Sequence, residues 1–218
     1  MVVRLLPAHD RPEVAWRNGA GVTTEVTSWP SGSGDAFGWR ISIATIAASG
    51  PFSRYAGVDR LLLPLGSTLP HLVEPVGSVD LVVSGRRHAM EPWVPFAFDG
   101  QADTHAQHGG AGVQVLNVMT RRAAWRADIE VVTLGRSPAA LSPRPFGGHS
   151  VLVVLDGSVN LASSSAAGTL GALDAASLSG LAAVHLCARP DSPVPHPHVV
   201  HVRLSPSLPR DVTPETAD

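Results

Sequence analysis

The sequence contains no lysine, one cysteine and no long apolar run, and each absence excludes a class of protein. Because all sixteen cationic residues are arginine, neither a Schiff-base lysine nor the lysine of a phosphate-binding P-loop is available. Cys187 has no partner for an internal disulfide, which is typical of a reducing compartment. No segment reaches the roughly 18 apolar residues of a membrane-spanning helix, and Arg4 and Pro7 interrupt the N-terminus before a signal-peptide core forms. We therefore expect a cytoplasmic protein with no membrane partner.

The charge balance excludes another class of partner. The net charge is -2 at pH 7, and the longest runs of cationic residues are the pairs Arg86-Arg87 and Arg121-Arg122. Proteins that bind nucleic acid usually carry a clustered basic surface that neutralises phosphates. We therefore expect no nucleic-acid partner, while the sequence leaves the oligomeric state open.

The sequence also has little of the 3.6-residue periodicity that predicts helices. Most of the chain consists instead of short β-like segments that Gly and Pro interrupt. "GVTTEVTSW", residues 21–29, alternates so that Thr23 and Glu25 share one face and Val22 and Val26 the other. "GWRISIATI", residues 38–46, alternates in the same way. The Gly- and Ser-rich turn between them predicts a hairpin. The fold class predicted from this pattern is all-β.

The second half of the chain repeats the layout of the first. In "GHSVLVVLDGSVNLA", residues 148–162, the pair Asp156-Gly157 predicts another hairpin. In both halves a strand-turn-strand unit leads to a short segment that ends in Gly and then to an apolar strand. The repeat predicts two tandem β-barrels, over residues 1–135 and 148–204, with a Pro-rich connector between them and a flexible tail over 205–218.

Histidine is plentiful, but its distribution does not predict a metal site. A usable site needs three or four ligands that converge on one point. The ten histidines are scattered, and the groups that could contribute are His71 with Glu74, His149 alone, His105 with His108, and His196 with His198 and His201. We therefore expect surface histidines, no metal and no cofactor. A nucleophilic site is no better supported, since Cys187 and its neighbour His185 lie in an apolar segment where an inert thiol is usual.

The segment "WRNGAGVTTE", from Trp16 to Glu25, combines flexibility with polar side chains. Gly19 and Gly21 permit a sharp turn or a close approach of the backbone to a ligand. Asn18 beside them can both donate and accept hydrogen bonds. The segment is therefore a candidate wall of a ligand site.

The predicted hairpin brings this segment towards a second polar group. Arg40 and Ser42 share one face of the next strand, so that Glu25 and Arg40 can approach each other across the hairpin. Periodicity leaves two interpretations open. One is a salt bridge on a solvated face, with Trp16 filling a gap in the core. The other is a polar patch that lines a pocket.

These segments resemble the HutD/Ves family of small bacterial bicupin proteins. The family pattern W-K-N-G-G-G-x-T-x-E corresponds to "WRNGAGVTTE", W-R-x-S-x-A to "WRISIA" over 39–44, and G-x-F-S to the start of "GPFSRYAGVDR" over 50–60. "PFAFDG" and "LNVMTRR", which begin at residues 95 and 116, resemble two later motifs of the family. The resemblance covers residues 1–135, whereas the second half agrees only in its layout.

The resemblance implies two tandem cupin-like, RmlC-like jelly-roll barrels that lack the usual metal-binding histidine motif. It also implies a small-ligand cavity in the first barrel, and by analogy the residues that would line it are Trp16, Asn18, Glu25, Arg40, Ser42 and Asn117. In this hypothesis Arg40 would bind a carboxylate, and Asn18 and Ser42 would orient it. Glu25 would hold Arg40 or accept a hydrogen bond from a ligand N-H.

Three positions differ from the family pattern. The family lysine is Arg17, the middle glycine is Ala20, and the acid that precedes Leu-Asn is Val115. The loss of the acid matters most, because a ligand or arginine paired with it in relatives would lose that partner here.

The expected function is the binding of a small anionic metabolite by a regulatory protein, without turnover. A HutD-like role would make the ligand a carboxylate from histidine degradation, whereas Ves-like relatives are tied to stress. Two alternatives stay open. One is a metal-independent isomerase or hydrolase that uses Glu25 or a loop histidine as general base in the same pocket. The other is a scaffold that would present a broad apolar surface patch.

Overall fold

The computed structural model describes residues 2–16, 19–65, 78–110, 112–142, 147–180 and 183–207 of the chain. Within these ranges the fold is almost entirely β, and the helical structure consists of two short 3-10 turns at Ala8–Asp10 and Gly34–Ala36. No helix in the described part of the chain is long and apolar enough to cross a membrane. The prediction of an all-β fold is confirmed.

The strands are short and follow one another closely along the chain. The first eleven are β1 (Val2–Leu6), β2 (Glu13–Ala15), β3 (Gly21–Trp29), β4 (Trp39–Ile46), β5 (Gly50–Pro51), β6 (Val58–Pro64), β7 (Ser78–Val83), β8 (Arg86–Ala89), β9 (Phe96–Asp99), β10 (Thr104–Gly109) and β11 (Val113–Arg121). They are followed by β12 (Trp125–Thr133), β13 (Ala139–Leu141), β14 (His149–Val154), β15 (Ser158–Ala162), β16 (Ala167–Gly171), β17 (Ala175–Ser179), β18 (Val184–Ala188) and β19 (His198–Pro206).

These strands form four antiparallel sheets, which we group into two units. The first unit contains a six-stranded sheet, β2-β3-β4-β11-β6-β9, and a four-stranded sheet, β5-β10-β7-β8. The second unit contains a five-stranded sheet, β1-β17-β14-β19-β12, and a four-stranded sheet, β13-β18-β15-β16. The number of barrels stays a prediction.

Three apolar clusters hold the four sheets together in layers. One cluster lies inside the first unit and another inside the second unit. The third joins the units, because Ile41 and Leu116 of the six-stranded sheet pack with Val153 and Val202 of the five-stranded sheet. The two larger sheets are therefore the inner layers, and the six-stranded sheet turns its other face to the interior of the first unit.

The hairpin predicted between residues 21 and 46 is confirmed as β3 and β4. The register shifts between Glu25 and Thr27, where a β-bulge interrupts the simple alternation. Val26 points into the core between the units. Because of the extra residue, Ser28 lies on the same face as Glu25, towards the interior of the first unit.

The hairpin predicted at Asp156-Gly157 is wrong, because β14 and β15 belong to different sheets. The Asp156 side chain is buried and accepts a hydrogen bond from the backbone N-H of His198 at 2.5 Å. Gly157 has a φ of 65°, in the left-handed region that favours glycine. The Asp-Gly pair therefore turns the chain from one sheet to the other instead of closing a two-stranded ribbon.

Strand pairing also crosses the predicted domain limits. β1 pairs with β17 and β12 pairs with β19, so both strands lie in the second unit although they fall within residues 1–135. β19 extends to Pro206, into the first residues of the predicted tail, and residues 208–218 lie outside the described ranges. The division of the chain into domains stays a prediction.

Candidate functional site

A cavity of about 750 Å3 lies on the face of the six-stranded sheet that is turned to the interior of the first unit. Its floor consists of alternate residues on four adjacent strands, which face the same way because side chains alternate along a strand. They are Thr23 and Glu25 of β3, Arg40, Ser42 and Ala44 of β4, Val115, Asn117 and Met119 of β11, and Arg60 and Leu62 of β6. Residues 14–16, Asp35 and the segment 51–55 complete the wall. The volume suits a small organic molecule.

Strand register arranges the polar floor residues in rows. Ser42 lies opposite both Glu25 and Asn117, which places an acid, a hydroxyl and an amide in one line across three strands. In the next row Met119 lies opposite both Arg40 and Arg60. The sheet therefore presents hydrogen-bonding groups of both signs to one space.

Arg60 is the most unusual residue of the cavity. It is only 7% exposed, and its guanidinium lies over the rings of Phe52 and Phe98, at 4.9 and 5.1 Å from the ring centroids. Among the described residues it makes no ion pair with a carboxylate. Burial lowers the pKa of Arg60 to about 10, opposed by Tyr55 and assisted by Arg40. The group is therefore still a cation at neutral pH.

Asn117 orients Arg60. Its Oδ1 accepts hydrogen bonds from both Nε and Nη2 of Arg60, each at 3.2 Å. Because a guanidinium only donates, the amide must turn its oxygen to Arg60, which leaves the Asn117 NH2 group for another acceptor. The Nη1 group of Arg60 has no hydrogen-bond partner within the described ranges. Both groups are donors that suit an oxyanion.

Arg40 is engaged by neighbours on several sides. Its Nη2 donates to the hydroxyl of Tyr55 at 3.2 Å, and its Nη1 lies 3.5 Å from Oδ1 of Asp35. The guanidinium also lies 4.6 Å from the centroid of the Phe37 ring. Arg40 therefore flanks the cavity with part of its charge already compensated.

Glu25 does not hold Arg40. Its Oε1 accepts a hydrogen bond from the Ser28 hydroxyl at 2.7 Å, which the β-bulge makes possible by placing both side chains on the same face. Within the described part of the chain no ion pair joins Glu25 to Arg40. The interpretation as a hairpin salt bridge is therefore wrong for this pair.

The loop before β3 explains the glycines of "WRNGAG". The backbone N-H of Gly19 donates to the carbonyl of Trp16 at 3.0 Å, and Gly19 has a φ of 68°. A Cβ on Gly21 would overlap the carbonyl oxygen of Thr45. The close approach of β3 to β4 thus requires glycine, and the turn brings Trp16 back over the cavity, where its Nε1 donates to Thr23 Oγ1 at 2.7 Å.

Five of the six candidate residues lie together at this cavity: Trp16, Glu25, Arg40, Ser42 and Asn117. Asn18 and the neighbouring Arg17 lie outside the described residues. Ligand binding by these residues stays a prediction. Among the positions that differ from the family pattern, Ala20 is buried at an ordinary φ, and Val115 lines the cavity.

The sequence reasoning missed Arg60, Phe52 and Tyr55. All three lie in "GPFSRYAGVDR", a segment whose start resembles the family motif G-x-F-S. Alternation along β6 places Arg60 and Leu62 on one face, so an arginine within an apolar strand was the signal for a buried cation.

The expectation of surface histidines is wrong for His201, and His149 is only partly exposed. His201 is buried, and burial followed by the charge of Arg203 lowers its pKa to about 4. His149 lies among three tryptophans, with ring centroids 4.8, 5.3 and 5.4 Å away, and burial lowers its pKa. In the part of the chain that the structure describes, no three His, Cys, Asp or Glu residues form a group suited to a metal ion. His71 and Glu74 lie outside that part.

The sheet architecture and this cavity define a cupin-like protein. The chain aligns with a mutant of oxalate decarboxylase from Bacillus subtilis at a TM-score of 0.57 and 9% identity, over 94% of this chain and 76% of that one. It aligns more closely with HutD from Pseudomonas fluorescens SBW25, at a TM-score of 0.73 and 21% identity, over 95% of this chain and all of that one.

The HutD family model matches residues 8–194, and the chain belongs to the HutD family. Relatives include an uncharacterised 21.2 kDa protein in the hutC 3' region of Pseudomonas putida, 35% identical over 59% of this chain and 63% of that protein. Protein Ves from Escherichia fergusonii is 36% identical over 55% of this chain and 59% of its own length. The matches therefore cover less than two thirds of these two curated relatives.

Proposed function

We propose that this chain is a cytoplasmic regulatory protein that binds a small carboxylate in the cavity of the first unit, without turnover. The observation that supports this function best is the Arg60 guanidinium, a buried cation beside a cavity with no carboxylate partner among the described residues. A buried charge without a partner is unfavourable, and an arriving anion removes that penalty.

The geometry around Arg60 suits an oxyanion such as a carboxylate. A guanidinium offers planar donors that match the two oxygens of a carboxylate. Asn117 fixes the guanidinium through Nε and Nη2, and its own NH2 group is left as a further donor. Phe52 and Phe98 cover the cation from water. The ligand thus meets donors that are already oriented, which reduces the ordering cost of binding.

The relatives supply candidates for the carboxylate. One similar structure is named HutD, and the Pseudomonas putida relative lies in a hutC region. These names support a link to histidine utilisation. Urocanate, formylglutamate and formiminoglutamate are therefore the first carboxylates to test.

A thermal-shift screen with these three acids, histidine and divalent metals tests the proposal. A ligand at about 100 times its Kd adds roughly 2.7 kcal/mol, or about 5 to 10 °C for a chain of this size. The Arg60→Met variant is expected to lose this shift while folding normally, since replacing a buried unpaired cation by an apolar chain of similar volume is often neutral or stabilising.

Arg54→Met is the matched control. Arg54 also lines the cavity, but it is already paired with Asp103 at 2.6 Å, so its loss should leave most of the shift. Equal shifts in wild type and Arg60→Met would contradict the proposed role of Arg60. A chain stabilised by none of the carboxylates would contradict carboxylate binding itself.

A second function is favoured by one observation. Glu25 lines the cavity and accepts a hydrogen bond from Ser28, without an ion pair to Arg40, so it can act as a general base towards a bound ligand. Incubating each binding carboxylate with the protein and following it by NMR distinguishes the two functions. Conversion that disappears in Glu25→Gln supports an isomerase or hydrolase, and an unchanged ligand supports binding without turnover.

A further inference from the structure

Five charged side chains line the cavity, and two of them have no opposite charge beside them among the described residues. Arg54 pairs with Asp103 at 2.6 Å, and Arg40 lies 3.5 Å from Asp35. Within the described ranges, Arg60 and Glu25 form no ion pair. Buried Arg60 and exposed Glu25, which accepts a hydrogen bond from Ser28, therefore face the same space without an ion-pair partner among the described residues.

These two charges lie at opposite ends of the cavity floor. Glu25 belongs to β3, while Arg60 is bound to Asn117 of β11, two strands further across the sheet. Ser42 of β4 lies between Glu25 and Asn117 in one row, and Arg60 lies in the next row, opposite Met119. Adjacent strands are about 4.8 Å apart, so the two ends of the row are separated by roughly 10 Å.

We propose that the ligand is a zwitterion, with its carboxylate at Arg60 and Asn117 and a cationic nitrogen at Glu25. The chemical class is an acid with an amino, amidine or imidazolium group at the other end of a short chain. The Ser42 hydroxyl lies in the row between the two ends, beneath the middle of such a ligand. This inference rests on the proposed function, because it assumes that the cavity binds a carboxylate.

The charges of the wall distinguish a zwitterion from simpler acids. Arg54 is paired with Asp103, and the other two arginines of the wall, Arg40 and Arg60, equal its two acids, Asp35 and Glu25, in number. A ligand without net charge therefore leaves the net charge of the cavity unchanged. The second carboxylate of a dianion would face Glu25, and like charges in contact are strongly unfavourable. A monoacid would satisfy Arg60 but gain no interaction with Glu25.

Calorimetric titration with three matched series of probes tests the inference. The monoacids are butyrate, valerate and caproate, the diacids are succinate, glutarate and adipate, and the zwitterions are γ-aminobutyrate, δ-aminovalerate and ε-aminocaproate. At the best chain length the zwitterion is expected to bind about tenfold more tightly than the monoacid, or better. One charge-assisted hydrogen bond contributes enough free energy for this difference in affinity. The diacid is expected to bind more weakly than the monoacid.

Glu25→Gln should abolish the advantage of the zwitterion over the monoacid. The control is Glu130→Gln, which changes the net charge equally at a residue of the second unit that is paired with Arg203 at 2.7 Å. It should retain the advantage. Zwitterions that bind no better than monoacids, or an advantage that survives Glu25→Gln, would overturn the inference and leave carboxylate binding intact. Binding of no probe at any chain length would instead contradict the proposed function.

Discussion

The two units share one layered arrangement, but their interiors differ. The inner face of the first unit carries Arg40, Ser42, Arg60 and Asn117 around a cavity. The interior of the second unit is filled mainly by aliphatic side chains of a single buried cluster. Two units of similar layout thus contain a polar cavity beside an apolar cluster in one case and a packed apolar core in the other.

This difference indicates where the chain can bind a ligand. A packed interior leaves no room for a small molecule, and its side chains contribute to stability through close contact. An interior with buried donors and free space provides recognition at some expense of packing. The family motifs and the cavity coincide in the first unit, whereas the second unit stabilises it through the shared apolar cluster.

The largest expected effect contrasts the two interiors directly. Leu152→Ala, in the packed second unit, should lower the free energy of unfolding by about 2 to 5 kcal/mol, because it creates a void among close-packed neighbours. Leu62→Ala, at the wall of the existing cavity, should cost about 2 kcal/mol or less, since it enlarges a space that is already present. Urea unfolding of both variants measures the difference. Equal losses would mean that the first unit is packed as tightly as the second.

Acid should weaken the second unit. His201 is buried and its pKa is lowered to about 4 by burial, assisted by Arg203 and opposed by Glu130 and Asp128. The unfolded chain therefore binds more protons than the folded chain between about pH 4 and pH 6.5, and stability falls as pH falls through this window. The loss from this one group is about 3 kcal/mol at most.

Comparing wild type with His201→Leu isolates that contribution. The wild type should lose stability between pH 7 and pH 4 more steeply than the variant, while acids that titrate in the same window affect both. His149, whose pKa is also lowered by burial, acts in the same direction and stays present in both proteins. Parallel stability curves for the two proteins would contradict the lowered pKa of His201 in the folded chain.

The turn that forms the cavity wall should tolerate no side chain at Gly21. Gly21→Ala forces a Cβ against the carbonyl oxygen of Thr45, which belongs to the β4 backbone and cannot move away by rotation. We expect a loss of about 1 to 3 kcal/mol and weaker carboxylate binding through displacement of Trp16. Gly135→Ala is the control, because a Cβ there meets no atom within 4 Å. An unchanged melting temperature in Gly21→Ala would contradict this geometry.

The smallest expected effect concerns the hydrogen bond that fixes Trp16. Thr23→Val keeps the shape of the side chain but removes the acceptor of the Trp16 Nε1-H, at an expected loss of about 1 kcal/mol. The indole N-H signal of Trp16 in NMR spectra should shift. Thr24→Val is the control, since the hydrogen bond that Thr24 Oγ1 donates to the Ile43 carbonyl is long, at 3.4 Å. An unmoved Trp16 signal would show that another acceptor holds the ring.

Alternation and turn signals predicted much of the first unit. Local periodicity gave the β3-β4 hairpin, and five of the candidate residues that the resemblance named lie at one cavity. This success has a physical reason, because side-chain direction in a strand depends on local sequence. The same reasoning failed at Asp156, whose buried contact with His198 joins residues 42 positions apart.

Partners that are distant in sequence explain the other omissions. Arg60 became recognisable only once β6 was paired with β11 and its guanidinium was placed on Asn117, 57 residues away. The pairing of β1 with β17 joins segments that no local pattern connects. Glu25 binds Ser28 instead of Arg40 because a β-bulge shifts the register of the hairpin between Glu25 and Thr27. Local sequence carries little signal for such a bulge.

Arginine side-chain NMR during a titration with urocanate tests the central claim most directly. The Nε-H signal of Arg60, assigned by its loss in Arg60→Met, should shift with the same Kd that calorimetry gives, and Arg54 should change little. A ligand that binds with an unchanged Arg60 signal would contradict the claim that this buried cation receives the carboxylate.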